Sequence, residues 1–243
     1  MSLDILITII VTSFIQSIFG VGVLLFGTPL LLLLGYNFVH AVIILLPISV
    51  SINLIQIAKD YRNIDLDFYK KILIYTIPFV VIFLLVITKS EINIGIVVGM
   101  FLLFVAAKNY SFRIDEIIKS LARYEKTYFI LMGIVHGLTN LGGSLLTAIV
   151  HSKDYEKHIT RVTVAASYAT FAIFQIMTLV ATGHSINIGL SGIGIYLIVG
   201  ISVFFVTEKL IYMDISNANY SKNFAAFLLL SGMLLCAKSI WLF

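Results

Sequence analysis

The chain has 243 residues, of which 60% are hydrophobic and only 12% carry a charge, and its mean hydropathy is +1.07. Because a soluble domain averages about 25% charged residues, this composition excludes an ordinary soluble protein. The net charge of +4 does not indicate a nucleic-acid partner, since no basic cluster is interleaved with stacking aromatic residues.

Apolar stretches follow one another along the chain, separated by short charged segments, and they do not alternate with polar residues as membrane β-strands would. The prediction is an all-α polytopic membrane protein. The stretches fall at about 3–19, 21–35, 38–58, 72–88, 92–107, 127–138, 144–151, 159–182, 189–206 and 223–242. Three of them, 21–35, 127–138 and 144–151, are too short to span the bilayer comfortably as straight helices.

The first short stretch belongs to "SFIQSIFGVGVLLFGTPLLLLLGY", residues 13–36, where Gln16, Gly20, Gly22, Gly27 and Pro29 all disfavour a straight helix. Backbone that loses its helical hydrogen bonds is tolerated at membrane depth only where it is buried in protein or lines a cavity. Short, glycine-interrupted segments at matching places in two halves of a chain indicate a transporter binding site.

A second such pair, 127–138 with 144–151, lies 120 residues downstream of the first pair. At this offset Gln16 aligns with His136 and Gly22 with Gly142. The predicted organisation is therefore a first membrane repeat at 1–107, a connector at 108–126 and a second membrane repeat at 127–243. Each repeat has a glycine-broken helix pair followed by three transmembrane helices. The connector, "KNYSFRIDEIIKSLARYEK", has the spacing of an amphipathic interfacial helix.

The Lys and Arg residues indicate the topology. If each broken pair enters the membrane and returns, 14 of the 16 Lys and Arg residues lie on one side, against 10 if each pair crosses once. The positive-inside bias favours the returning model, with the connector in the cytoplasm and both termini outside it. An odd number of crossings then gives the two repeats opposite orientations. Re-entrant hairpins and paired tilted crossings both satisfy this model.

The predicted spans contain no Asp or Glu apart from Asp4 at the very start of the first, whereas a cation carrier usually holds an intramembrane carboxylate. Neutral donors and helix N-termini suit a small anion. The candidate substrate-binding residues line the two breaks and the helices that follow them: Gln16, Gly20, Gly22, Thr28, Asn53, Gln56, His136, Thr139, Asn140, Gly142, Gly143, Ser144 and Gln175. His136 carries either a coupling proton or a neutral hydrogen bond, and both readings stay open. Asn53 and Gln56 follow Pro47, so they could also satisfy backbone groups that Pro47 frees.

At these residues the chain resembles the sulfite exporter TauE/SafE family of membrane proteins. The resemblance covers the whole chain and is carried by "FGVGVLLFGTPLLLLLGY" at 19–36 and "HGLTNLGGSLLTAIV" at 136–150. The chain departs from the family pattern in having few glycines around Gly20 and Ile149 where Pro29 would align. The resemblance implies a multi-pass protein of the cell membrane that carries an anion such as sulfite or an organosulfonate.

The leading hypothesis is a secondary transporter that works by alternating access at a site near the membrane midplane, between the two inverted repeats. Its partners would be the anion and the lipid bilayer, and the sequence leaves a homo-oligomer open. No cofactor, metal site or catalytic residue is predicted, and the single Cys236 excludes a disulfide within the chain. The alternatives are a non-transporting scaffold or accessory subunit and, more remotely, an intramembrane enzyme using Ser144 with His136 or His151.

Overall fold

The computed structural model describes residues 2–90, 94–107, 111–153, 155–184, 190–211 and 229–240, and these residues form helices and no strands. The helices are α1 (Leu3–Phe19), α2 (Val23–Leu33), α3 (Phe38–Asp60), α4 (Leu66–Lys71), α5 (Ile77–Thr88), α6 (Ile94–Ala107), α7 (Phe112–Arg123), α8 (Glu125–Thr139), α9 (Gly143–His151), α10 (Lys157–Ala181), α11 (Leu190–Ile211) and α12 (Leu229–Ile240). Three long apolar helices in this part of the chain could cross a membrane: Phe38–Asn63, Leu66–Thr88 and Lys157–Ala181. The protein is thus an all-α membrane protein, as its composition predicts.

Helices α4 and α5 form one continuous rod through a π-helical turn at Ile72–Thr76. The turn directly precedes Pro78, which lacks an N–H group and therefore interrupts the regular hydrogen-bond ladder. The Thr76 hydroxyl donates a hydrogen bond to the Phe129 carbonyl of α8, at 3.0 Å. This contact fastens the irregular turn to the helix that leads into the second break.

Each broken helix pair returns to the side on which it began. The Tyr36 hydroxyl, just after α2, donates to the Asp4 carboxylate at the start of α1, at 2.7 Å. Likewise the Lys153 ammonium, just after α9, lies 2.6 Å from the Glu125 carboxylate at the start of α8. The geometry is therefore that of the returning model.

The charged contacts sort the basic residues as the returning model requires. Lys59 and Arg161 both bind the Glu208 carboxylate at one end of the helix bundle. Lys238 lies at the other end, where its ammonium caps the carbonyls of Leu32 and Leu33 at 3.1 and 2.9 Å. Two of these three basic residues thus lie at one end of the bundle and the third at the opposite end.

The helices pack in matching pairs. The long helices α3 and α10 form the most extensive contact in the bundle. Around them α1 packs on α11 as α8 packs on α5, and α11 contacts α3 as α5 contacts α10. The corresponding helices, α1 and α8, α3 and α10, and the α4–α5 rod and α11, lie 120 residues apart in the sequence to within a few positions. Because helices of 1–107 pack on helices of 127–243, the two segments interleave. Helix α7 lies within the predicted connector 108–126 and contacts α8, while residues 108–110 fall outside the described part.

Asp65 caps α4 and joins two loops at the charged end of the bundle. Its carboxylate accepts the backbone N–H groups of Asp67 and Phe68, at 3.0 Å each, and also the Tyr155 hydroxyl. Burial raises the pKa of Asp65, but the hydrogen bonds from Phe68, Tyr155 and Asp67 outweigh it, so the pKa lies below its ordinary value of 3.8. The carboxylate form is therefore the stabilising one.

Replacing Asp65 with alanine is expected to destabilise the protein by about 1 kcal/mol, because the cap is lost. Asp65→Asn keeps a capping oxygen and should cost less. Since the folded-state pKa is lowered, the advantage of Asp65 over asparagine is present above pH 3.8 and disappears as the pH falls through the folded-state value. Thermal unfolding of the three purified proteins across pH checks this, and an equal loss in both variants at neutral pH would contradict the capping role.

Candidate functional site

The first break separates α1 from α2, and the Gln16 side chain holds its two limbs together. Helix α1 ends at Gly20, whose φ of 74° is left-handed and whose N–H donates to the Gln16 carbonyl at 2.9 Å. The side-chain oxygen of Gln16 accepts the N–H of Val23, the first residue of α2, at 2.9 Å. Its nitrogen donates to the Asn53 oxygen on α3 at 3.1 Å. One buried amide therefore joins three helices at the break.

The second break repeats this arrangement 120 residues on. Helix α8 ends at Asn140, whose φ of 63° is left-handed and whose N–H donates to the His136 carbonyl at 2.8 Å. The His136 ring nitrogen Nε2 lies 3.3 Å from the Gln175 oxygen on α10. In both breaks a polar residue one turn before the left-handed position bonds an amide side chain on a long central helix. The alignment of Gln16 with His136 thus has a counterpart in the geometry.

A hydrogen bond connects the two breaks. The Asn140 amide nitrogen donates to the Thr28 hydroxyl on α2 at 2.8 Å, and both side chains are fully buried. The left-handed residue of the second break therefore touches the returning limb of the first. This contact brings together residues from the two halves that the sequence places 112 positions apart.

Gly22 and Gly142 allow the limbs to approach. A Cβ on Gly22 would lie 2.5 Å from the backbone nitrogen of Gln16 and 2.6 Å from the Thr12 carbonyl oxygen. A Cβ on Gly142 would lie 2.5 Å from the His136 Cβ and 2.8 Å from the Met132 carbonyl oxygen. Any side chain at either position would therefore collide with the preceding helix.

Tyr168 on α10 contacts the second break, although nothing in its sequence context singles it out. Its hydroxyl oxygen lies only 1.1 Å from where a Cβ on Gly143 would be, so the phenol occupies the space that a side chain there would need. Its ring also packs edge-on against His136, with ring centroids 6.2 Å apart. A tyrosine in an apolar helix has no distinctive spacing, and only the position of Gly143 could have pointed to it.

Gly143→Ala is expected to destabilise the protein by about 1–3 kcal/mol, the usual cost of overpacking. Tyr168→Phe should not rescue it, because the ring atoms Cζ and Cε2 would still lie 2.1 and 2.8 Å from the new methyl group. Tyr168→Leu should recover part of the loss by removing the ring. Thermal unfolding of the single and double variants checks this, and rescue by phenylalanine alone would show that the hydroxyl is the sole obstacle.

Several candidate site residues keep buried polar atoms without a hydrogen-bond partner. These atoms are both amide atoms of Gln56, the Gln175 nitrogen, the His136 ring nitrogen Nδ1 and the Asn140 oxygen. Each of the four side chains is at most 3% exposed. Leaving such atoms unpaired in an apolar environment costs several kcal/mol. They are therefore the groups in this region that a bound polar molecule would satisfy.

Other predicted site residues serve the local backbone. The Thr139 hydroxyl donates to the Val135 carbonyl at 2.7 Å and accepts the Leu141 N–H at 3.2 Å. The Ser144 hydroxyl donates to the Leu141 carbonyl at 3.0 Å, and the His136 nitrogen Nε2 lies against Gln175. His151 is exposed and bonds the Thr147 carbonyl. The Ser144 hydroxyl is therefore bonded to the backbone of the turn. The described hydrogen bonds of His136 and His151, the two candidate bases of the enzyme alternative, go to groups other than Ser144.

The electrostatics of the breaks favour negative charge. The first intrahelical bond of α2 runs from the Phe26 N–H to the Gly22 carbonyl, so the N–H groups of Leu24 and Leu25 have no helical partner. A helix N-terminus carries about half a positive charge. Among the described residues, no three His, Cys, Asp or Glu side chains are grouped to hold a metal ion.

An apolar groove of about 500 Å³ lies elsewhere, on the outer face between α1 and α11. Ile10, Phe14, Val203 and Val206 line it, and their side chains suit lipid acyl chains rather than an anion. The polar cluster at the breaks is buried in the bundle.

Apolar helices that enclose two polar, glycine-interrupted breaks are the architecture of a membrane transporter. The profile of the family described as "Sulfite exporter TauE/SafE" matches residues 5–235, which is nearly the whole chain. The chain belongs to this family, so the resemblance read from its motifs is confirmed. Membership implies a membrane transporter of sulfur anions such as sulfite, and not an enzyme. Comparison with curated proteins and with solved structures found no match.

Proposed function

We propose that the protein is a secondary transporter that moves a small sulfur oxyanion, with sulfite as the leading candidate, across the cell membrane by alternating access. The two broken pairs form the binding site, and the two repeats, inverted relative to each other, rock about it. The end of the bundle that holds Lys59 and Arg161 faces the cytoplasm, and both termini lie on the opposite side.

The observation that carries this proposal is the set of buried, unpartnered polar atoms on the candidate site residues. Gln56 and Gln175 offer amide N–H donors without a partner. The His136 nitrogen Nε2 faces the Gln175 oxygen and therefore carries the proton, so Nδ1 is an acceptor, as are the unpartnered oxygens of Gln56 and Asn140. Because each unpaired atom is costly in an apolar interior, a ligand that pairs with them gains binding free energy. A protonated oxyanion offers acceptor oxygens to the two amide donors and an O–H group to the acceptors, and so suits this set.

The same set also favours a singly charged, protonated oxyanion. Gln56 presents one unpartnered donor and one unpartnered acceptor whichever way its amide is turned. The acceptor would repel a fully deprotonated dianion but can accept the O–H of hydrogen sulfite. We therefore expect hydrogen sulfite to be bound in preference to sulfate.

Alternating access is supported by the correspondence between the breaks. The bonds Gly20 to Gln16 and Asn140 to His136 are equivalent, and helix contacts recur in matching pairs. Two similar packings related by symmetry allow the same site to open to either side. A scaffold or accessory subunit would gain nothing from polar backbone enclosed in this way.

Reconstitution of the purified protein in liposomes tests the proposal. We expect saturable uptake of radiolabelled sulfite that excess unlabelled sulfite suppresses strongly and excess sulfate suppresses weakly. Protein-free liposomes are the control. Uptake equal to that of the control, for sulfite and for organosulfonates alike, would favour the scaffold alternative.

A further inference from the structure

Arg161 lies beside the first break but was not among the predicted site residues. Its Cγ atom is 3.5 Å from where a Cβ on Gly20 would be, so the arginine stem passes directly over the left-handed residue that ends α1. The Arg161 side chain is only 16% exposed, and its Nη2 atom donates to the Glu208 carboxylate at 2.6 Å. A mostly buried cation is thus held next to a helix break that lacks any acid of its own.

Glu208 is shared between two cations. One of its oxygens binds Arg161 and the other binds Lys59, and the Glu208 side chain is 11% exposed whereas that of Lys59 is 49% exposed. The three side chains carry a net charge of +1, so a singly charged anion that joined them would make the group neutral. The Glu208 carboxylate is therefore bound to a guanidinium group that an anion could otherwise bind.

The carboxylate is also linked to the break. The hydroxyl oxygens of Thr207, which precedes Glu208 on α11, and of Ser17, in the last turn of α1, lie 2.6 Å apart. Releasing Glu208 from Arg161 would therefore loosen the end of α11 from the helix that runs into Gly20. The ion pair and this hydroxyl contact together hold α1, α10 and α11 closed around the first break.

We propose that Arg161 is the residue that first binds the anion at the end of the bundle that holds Lys59 and Arg161, and that the Glu208 carboxylate binds Arg161 when the anion is absent. An incoming oxyanion exchanges with the Glu208 carboxylate on the guanidinium group, and the released end of α11 moves away from α1. The exchange breaks one charge-assisted hydrogen bond and forms another, so it needs no net loss of pairing. This inference rests on the proposed function and adds a selectivity residue to it.

Substitutions that remove a charge with little change in size distinguish anion binding by Arg161 from a purely structural ion pair between Arg161 and Glu208. Arg161→Gln is expected to raise the sulfite concentration for half-maximal uptake by about tenfold or more, because a charged partner is lost. Glu208→Gln should lower it by about fivefold, within the usual range of coupling between competing interactions. Lys70→Gln removes a charge from an exposed lysine that pairs with the exposed Asp67, outside the Arg161–Glu208–Lys59 group. This variant is the matched control and should change the half-maximal concentration by less than about twofold.

The double variant Arg161→Gln with Glu208→Gln, and the melting temperatures of the variants, distinguish an anion-binding role of Arg161 from a structural one. In the Arg161→Gln background, Glu208→Gln should have no further effect on half-maximal uptake, and Arg161→Lys should restore part of the affinity. A structural ion pair would instead lower the melting temperature in both single variants and would leave the half-maximal concentration unchanged or shifted in the same direction.

The failures are distinguishable. Absence of saturable uptake by the unsubstituted protein would overturn the proposed function and this inference with it. Saturable uptake that Arg161→Gln leaves unchanged would overturn the inference alone, and so would a Glu208→Gln variant with weaker affinity than the unsubstituted protein.

Discussion

Gly22→Ala and Gly142→Ala are each expected to reduce anion transport by roughly tenfold or more, because the added methyl group overpacks the break and displaces the limbs that form the proposed binding site. The new methyl group would lie 2.5 Å from the backbone nitrogen of Gln16 in the first variant and 2.5 Å from the His136 Cβ in the second. Because the obstacles include main-chain atoms of α1 and α8, the limbs of each break must separate. We expect the larger valine side chain to remove transport altogether.

The control for this prediction is Gly194→Ala on α11, where an added Cβ would meet nothing within 4 Å. It makes the same chemical change on a helix face with open space, and it should leave uptake unchanged. All three variants should reach the membrane in similar amounts, which immunoblotting of membrane fractions checks. Normal uptake by both break variants would remove the binding site from the breaks.

Gln16→Glu is expected to reduce anion transport by more than about a hundredfold while preserving the fold. The new carboxylate can still accept the Val23 N–H, and a negative charge is favourable at a helix N-terminus. It would, however, repel a bound anion by about 4 kcal/mol at a separation of about 4 Å and an effective dielectric constant near 20. Stability and transport should therefore change independently in this variant.

Gln16→Leu supplies the comparison. Leucine removes the cap on Val23 and the hydrogen bond to Asn53 but adds no charge. If Gln16 served only the structure, glutamate would be the milder change because it keeps the cap. If Gln16 lies at an anion site, leucine should transport better than glutamate per folded molecule. Uptake normalised to the folded fraction, measured by size-exclusion chromatography, separates these outcomes.

The breaks themselves could be predicted from the sequence because glycine has consequences that depend on the backbone alone. The spacing predicted breaks at 20–22 and at 142–143, and the 120-residue offset aligned Gly22 with Gly142. Only the structure shows that Gly20 and Asn140 are the left-handed residues and that Gly22 and Gly142 allow the close approach. The polar character of Gln16, His136 and Gln175 inside apolar stretches also marked them before their contacts were known.

The partners across the bundle could not be predicted, because they depend on how helices distant in sequence are brought together. Nothing in the sequence pairs Asn140 with Thr28 or places Tyr168 over Gly143. The role of Arg161 was equally hidden, since an arginine near a helix end usually snorkels to the surface. Its contact with Glu208 emerges only when α10 and α11 pack together.

The boundaries of the helices show the same limit. The sequence predicts an apolar stretch beginning at 72, whereas the helical rod begins at Leu66. Hydropathy follows the apolar residues, but the helix begins six positions earlier, at Leu66, directly after the Asp65 cap. Capping is a local hydrogen-bonding feature that a hydrophobic pattern does not register.

Crystals grown with selenite, an analogue of sulfite whose selenium scatters X-rays anomalously, would test the central claim most directly. We expect an anomalous peak enclosed by the two breaks and within hydrogen-bond reach of at least one unpartnered group on Gln56, His136, Asn140 or Gln175. A peak confined to the protein surface or to the apolar groove between α1 and α11, with the breaks empty at saturating selenite, would contradict it.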